Sequence, residues 1–212
     1  MPKLSNERRK FLTRATLQYQ EHLDDARGFL EGRGIDLEFA RSVGLGVVRN
    51  PEAQHADYEG RLAIPSITNA GPVQMSFRCL KNHDCKYEKC AKILRARGWP
   101  NWLYGVQAAD QADDWIAVAE GEMDAIVLQM IGIPAIGVPG AEVFKDHYAK
   151  VFEDFSRVYM FADGDQAGSD MIKKWRDRLD TAVIDAQMPD KEDVNSMYLT
   201  HGPEFLIGKI KK

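Results

Sequence analysis

Apolar residues follow two different rhythms along this chain, and the change falls near the midpoint. Over residues 5–40, Leu12, Ala15, Leu17, Tyr19, Leu23, Ala26, Phe29 and Leu30 recur near the helical period. Gly32-Arg33-Gly34 interrupts the pattern, and a short second helix is expected to start at Asp36, whose side chain suits an N-cap. Residues 43–48 and 61–67 are β-like. The turn signal Asn69-Ala70-Gly71-Pro72 followed by 73–80 predicts a hairpin over 61–80. The basic, polar stretch 81–98 reads as an exposed loop followed by a short helix. From residue 114 the rhythm changes. Strands are expected at 115–119, 133–138, 157–162 and 182–186, alternating with helices at 122–131, 142–153 and 166–180. That alternation predicts βαβ units around a parallel sheet with helices on both faces. The expected fold class is α/β, with a mixed, basic N-terminal part over residues 1–109 and a parallel-sheet part over 110–212, joined by a short linker near 108–114.

Parallel strands deliver their C-terminal ends to one edge of a sheet, so acids placed there converge in space. Asp163-Gly164-Asp165 follows the apolar run Val158-Tyr159-Met160-Phe161-Ala162, and Glu120 follows the run 115–119. Beyond the fourth strand, Met188-Pro189-Asp190-Lys191-Glu192-Asp193-Val194-Asn195 adds further oxygen ligands. Crowded carboxylates repel one another, and hard divalent cations take oxygen ligands. This placement points to metal-dependent chemistry on phosphates.

Charge sharpens the picture. Residues 1–109 carry 17 Lys and Arg against 12 Asp and Glu, whereas residues 110–212 carry 11 against 20. One part suits a polyanion and the other suits cations. The chain has no apolar stretch near the ~20 residues needed to span a bilayer, and its charged N-terminus has no signal-peptide core. Cytoplasmic residence is the expectation, in a host cytoplasm if a phage encodes the chain, with no membrane partner. Three cysteines do not make a disulfide framework.

The segments Ala119-Glu120-Gly121-Glu122-Met123-Asp124-Ala125-Ile126, Asp163-Gly164-Asp165-Gln166-Ala167-Gly168 and Asp190-Lys191-Glu192-Asp193-Val194-Asn195 closely resemble the three signatures of the Toprim domain, a Rossmann-like parallel sheet. That domain is shared by primases, topoisomerases, small nucleases and recombination mediators. Upstream, 26–35 and 39–46, then Gly60-Arg61-Leu62-Ala63-Ile64-Pro65, Ser76-Phe77-Arg78-Cys79-Leu80, Lys86-Tyr87 and Leu103-Tyr104-Gly105 follow the order of the RNA polymerase domain of DnaG-type primases. The resemblance covers residues 20–210.

It implies a primase catalytic core making short RNA primers on single-stranded DNA from ribonucleoside triphosphates. Glu120, Asp163 and Asp165 would be catalytic and would bind Mg²⁺ or Mn²⁺, as a pair of ions, with Asp193 completing the metal site. Asp124 and Asn195 would support it, and Arg61, Arg78 and Lys86 would hold template or nucleotide phosphates. Asn195 stands where many primases carry an acid, and Trp99-Pro100-Asn101-Trp102 replaces a usual Lys before Leu-Tyr-Gly. No zinc ribbon precedes residue 20 and no helicase-binding domain follows residue 212, which suggests a compact, phage-type version. A replicative helicase and a separate zinc-binding module would be its partners. A Toprim nuclease, with water as nucleophile, and a non-catalytic nucleic-acid-binding accessory are the competing readings.

Cys79, His83, Cys85 and Cys90 fall within twelve residues. Their spacing lacks the Cys-x2-Cys knuckle and argues against zinc, with Cys79 expected as an inward-packed strand residue. His147 reads as a solvated helix residue, and Gly137-Val138-Pro139-Gly140 as a backbone bend near the acids.

Overall fold

The computed structural model describes residues 4–96, 99–140 and 144–210. The chain divides into two compact units, Met1–Trp102 and Leu103–Lys212.

The first unit opens with α1 (Asn6–Gln20), capped by the Ser5 side chain, which accepts from the Arg8 amide. Phe11, Leu12, Ala15, Thr16 and Tyr19 form its buried stripe, spaced at three to four residues as the helical period requires. Leu17 breaks the expected stripe and stands 60% exposed. A 3-10 turn at Leu23–Ala26 leads to α2 (Arg27–Glu31), and α3 (Leu37–Ser42) carries the expected Asp36 cap, which accepts from the Phe39 amide at 2.8 Å. The sheet is antiparallel throughout, in the order β1 (Gly46–Val47), β2 (Leu62–Thr68), β3 (Gly71–Arg78), β4 (Ile93–Arg95). The β2–β3 hairpin matches the expected 61–80, with a bulge between Ser66 and Ile67.

Beyond it the expectation needs correcting. The short helix expected near the end of 81–98 is instead strand β4, although residues 97 and 98 lie outside the described residues. Ile93 and Leu94 pair with Arg78 and Phe77, and Leu94 packs on the core of the unit, so a free sheet edge decided the conformation. Trp99 and Trp102 pack against the same core, and the Arg8 guanidinium lies 4.9 Å from the Trp99 ring centroid.

The second unit is built on a parallel sheet in the order β6 (Ala135–Gly137), β5 (Trp115–Ala119), β7 (Arg157–Phe161), β8 (Ala182–Asp185). Ile116 to Ala119 and Val158 to Phe161 are wholly buried, as strands covered on both faces should be. Ile116, Val118, Val158 and Met160 pack one face against Met171, Ile172 and Trp175 of α5 (Gln166–Arg176). α4 (Glu122–Met130) links β5 to β6, and α6 (Val194–His201) with α7 (Pro203–Ile207) closes the unit. The helix expected over 142–153 is a 3-10 segment at Asp146–Val151, and residues 142 and 143 lie outside the described residues. None of the described helices is long and apolar enough to cross a membrane.

Candidate active site

The C-terminal edge of the parallel sheet gathers the acids. β5 and β7 are neighbours in register, Ala119 beside Phe161, so the chain leaves both strands side by side. Glu120 and Asp163 meet there. The Asp163 amide donates to Glu120 Oε2 at 3.4 Å. Burial raises the Glu120 carboxyl above the usual carboxylate range, and the nearby charges of Asp163 and Asp165 raise it further, while the Asp163 amide works against them.

Asp165 caps α5, accepting from the Gly168 amide at 2.9 Å, and is itself exposed. The loop between β8 and α6 is tied onto Asp163-Gly164-Asp165 by two main-chain hydrogen bonds. Gly164 N–H donates to the Glu192 carbonyl at 2.9 Å, and Lys191 N–H donates to the Gly164 carbonyl at 2.7 Å. A Cβ at Gly164 would overlap the Pro189 carbonyl, and one at Gly168 would overlap the Asp163 carbonyl. These glycines are required for close approach of backbone to backbone.

Asp193 follows directly as the N-cap of α6. It forms a capping box with Ser196, whose amide donates to Asp193 Oδ1 at 2.7 Å. Asn195, in the first turn of α6, is buried. Asp124 lies half-buried in the first turn of α4, and a Cβ on Gly121 would come within 3.4 Å of its Oδ2.

An open depression of about 340 Å³ lies along this edge. Asp163, Asp165, Asp185, Gln187 and Asp190 line it, whereas Glu120 and Asp193 are not in its wall. Asp185 escaped the reading of the sequence, yet it ends β8 and obeys the same strand-end rule that singled out Glu120. Glu122 also escaped it. Its side chain is 4% exposed at the start of α4, and its charge, after burial, raises the phenol of buried Tyr104. Tyr104 is held in place by paired backbone hydrogen bonds to Gly137, so Leu103-Tyr104-Gly105 braces the bend at Gly137 beside the acidic edge.

The basic candidates belong to the first unit. Arg61 precedes β2 and donates to the Ala91 carbonyl at 2.8 Å. Arg78 ends β3, 6% exposed, with its guanidinium 5.5 Å from the Phe29 ring centroid. Lys86 is exposed on the loop between β3 and β4. That loop brings the ligand atoms of Cys79, His83, Cys85 and Cys90 within 4.8 Å of one another, which their linear spacing did not suggest. Cys79 is buried, but it lies just past the end of β3.

Residues 117–198 match the Toprim-like family model. The Gene 57 protein of Mycobacterium phage D29 is 34% identical over 158 residues, covering 72% of this chain and 99% of that protein. A DNA primase of Listeria monocytogenes is 27% identical over 192 residues, 83% of this chain. The chain belongs to one family with that phage Gene 57 protein, and it carries a Toprim-like domain. It spans 30% of the length of that Listeria primase. A solved DnaG primase catalytic domain bound to single-stranded DNA shares the fold, with a TM-score of 0.77 at 20% identity, over 94% of this chain and 76% of that one. The expected α/β class, with a Rossmann-like parallel sheet beside a mixed N-terminal part, is met: one sheet is antiparallel and the other parallel.

Proposed function

We propose that this chain is a primase catalytic core, which joins ribonucleotides into short primers on single-stranded DNA. The observation that carries this reading is the meeting of Glu120 and Asp163 at adjacent parallel strand ends, in a chain whose relatives include DNA primases. Glu120, Asp163 and Asp165 would hold divalent cations, Mg²⁺ or Mn²⁺, with Asp193 completing the set and Asp124 and Asn195 supporting it. The donor set fits, because it is all oxygen and because burial and the charges of Asp163 and Asp165 raise the Glu120 carboxyl, a cost that a cation would offset. Bound there, a pair of cations supplies charge stabilisation for in-line attack of a 3′-hydroxyl on an α-phosphate, with pyrophosphate leaving.

The chain's own residues do the rest. The backbone ties between Gly164 and the 189–192 loop hold the acids rigidly at the sheet edge, so little reorganisation is needed at the moment of reaction. Arg61 and Lys86 bind phosphates of template or incoming nucleotide. Arg78 contributes its charge from a buried position against Phe29. A replicative helicase and a separate zinc-binding module would complete the machinery, in the cytoplasm of a host cell.

The test is primer synthesis by the purified chain on mixed-sequence single-stranded DNA, with labelled ribonucleotides and Mg²⁺ or Mn²⁺, beside Asp163→Ala. Short RNA products that vanish in the variant support the reading. DNA cleavage in place of synthesis makes the chain a nuclease, and neither product, even with a helicase and zinc module added, makes it an accessory protein.

A further inference from the structure

We propose that Cys79, His83, Cys85 and Cys90 form a structural zinc site that closes the β3–β4 loop of the basic unit.

The geometry fits a tetrahedron. With Zn–S of about 2.3 Å and Zn–N of about 2.0 Å, the edges are about 3.8 Å between sulfurs and about 3.5 Å between sulfur and nitrogen. His83 Nε2 lies 3.5 Å from Cys79 Sγ, 3.4 Å from Cys85 Sγ and 3.0 Å from Cys90 Sγ. Cys79 Sγ and Cys90 Sγ are 3.9 Å apart.

Hydrogen bonding cannot account for this arrangement. An imidazole Nε2 has one in-plane position, either a lone pair or an N–H, and can serve one thiol well but not three. A disulfide does not account for it either, because bonded sulfurs lie at about 2.05 Å and all three cysteines are free. A cation at the centre, with the thiols ionised, satisfies all four groups together. Soft sulfur and nitrogen donors select zinc and not the hard cations suited to carboxylates.

Burial points the same way. Across 81–92 every residue is exposed except His83, Cys85 and Cys90. The one large aromatic of the loop, Tyr87, is 82% exposed, so apolar burial does not order it. Local polar turns remain. Asp84 Oδ1 accepts from the Lys86 amide at 2.8 Å, and the Cys90 amide donates to the Cys85 carbonyl at 2.9 Å. The Cys79 amide, donating to the Lys92 carbonyl at 3.0 Å, closes the base. A loop of this length with no regular structure needs an ordering device, and a metal clip is one. The clip also fixes the Ala91 carbonyl that Arg61 uses and the backbone that carries Lys86.

The experiment measures metal in the full chain, purified without chelator and without added zinc, beside Cys85→Ser and Asp163→Ala. Wild type and Asp163→Ala are expected to carry one zinc per chain. Cys85→Ser should lose it, since removing even an outer-shell partner of a zinc ligand costs about 10- to 100-fold in affinity. Because that variant could misfold, a second measurement uses wild type alone. Its three thiols should resist iodoacetamide until a chelator is added, and Co²⁺ in place of zinc should give tetrahedral bands with thiolate charge transfer. Three freely alkylated thiols, a Cys79–Cys90 disulfide found by mass spectrometry, or zinc content unchanged by Cys85→Ser would each overturn the proposal.

Discussion

The main-chain amide of Asp163 donates to Glu120 Oε2 at 3.4 Å, although the two residues are 43 apart in sequence. Parallel pairing of β5 with β7 makes the meeting inevitable, because both strands end at the same edge. The energetic consequence is that the isolated protein holds Glu120 above its ordinary range for protonation, through burial and then through Asp163.

Removing that charge should therefore separate stability from function. A carboxyl raised in the fold stabilises below its unfolded value and loses that contribution as pH rises through the folded value. Metal-free wild type should lose stability as pH rises through the carboxylate range, and Glu120→Gln should flatten that loss. The same variant should abolish Mn²⁺-dependent stabilisation and cut primer synthesis by at least about 100-fold. Thermal melts with and without Mn²⁺, beside the priming assay, would show it. A variant whose melting still rises with Mn²⁺ as wild type does would remove Glu120 from the metal site.

Gly164 has no room for a side chain. Gly164→Ala should destabilise by about 1–3 kcal/mol, the usual cost of forcing atoms into packed structure, by pushing the Asp163–Asp165 loop off the Pro189 carbonyl. Priming should fall further than stability, since the acids shift with the loop. Chemical denaturation and priming on the same preparation distinguish the two effects, and a variant as stable as wild type would contradict the packing.

Arg61 and Lys86 should behave as phosphate contacts. Each change to Ala is expected to weaken binding to single-stranded DNA about equally on all sequences and to lower the salt slope of the affinity by about 0.7. Binding titrations across a salt series measure this. Arg78→Ala should in addition lower the melting temperature, because Arg78 is buried against Phe29. An unchanged salt slope in both Arg61→Ala and Lys86→Ala would take these residues out of the interface.

His55 sets an acid limit on the first unit. It is fully buried, its Nδ1 lies 3.0 Å from the Tyr19 hydroxyl, and rings of Phe11, Tyr58 and Phe77 surround it. Burial, and then the charge of Arg8, holds its pKa down at about 4 against an ordinary 6.5. The folded state thus keeps His55 neutral where the unfolded chain protonates it. Stability from this group is complete above pH 6.5 and declines as pH falls towards 4, by up to about 3 kcal/mol. Denaturation curves between those limits should steepen in wild type and flatten in His55→Phe. Parallel curves would show that another group carries the acid sensitivity.

Much of the acidic site was legible because it depends on strand ends. Glu120, Asp163 and Asp165 each follow an apolar run, and the strand-end rule needs only that the runs be recognised. Asp185 obeys the same rule but was passed over, because the strand expected at 182–186 placed it inside the run, whereas β8 ends at Asp185 itself. The segment 93–95 was misread because three residues carry no periodicity, and pairing with β3 decided their conformation. Arg78 reads in the sequence as a phosphate-holding cation, and its burial against the Phe29 ring is visible only in the fold.

The order of apolar runs determined by itself that a parallel sheet would form and that carboxylates would meet at its edge, because strand direction follows from βαβ connectivity. Only the tertiary structure decided how tightly the 189–192 loop is bound to Gly164. It alone brought Cys79, His83, Cys85 and Cys90 around one point. Those features depend on backbone meeting backbone and on a loop folding back on itself, which residue spacing along a chain does not encode.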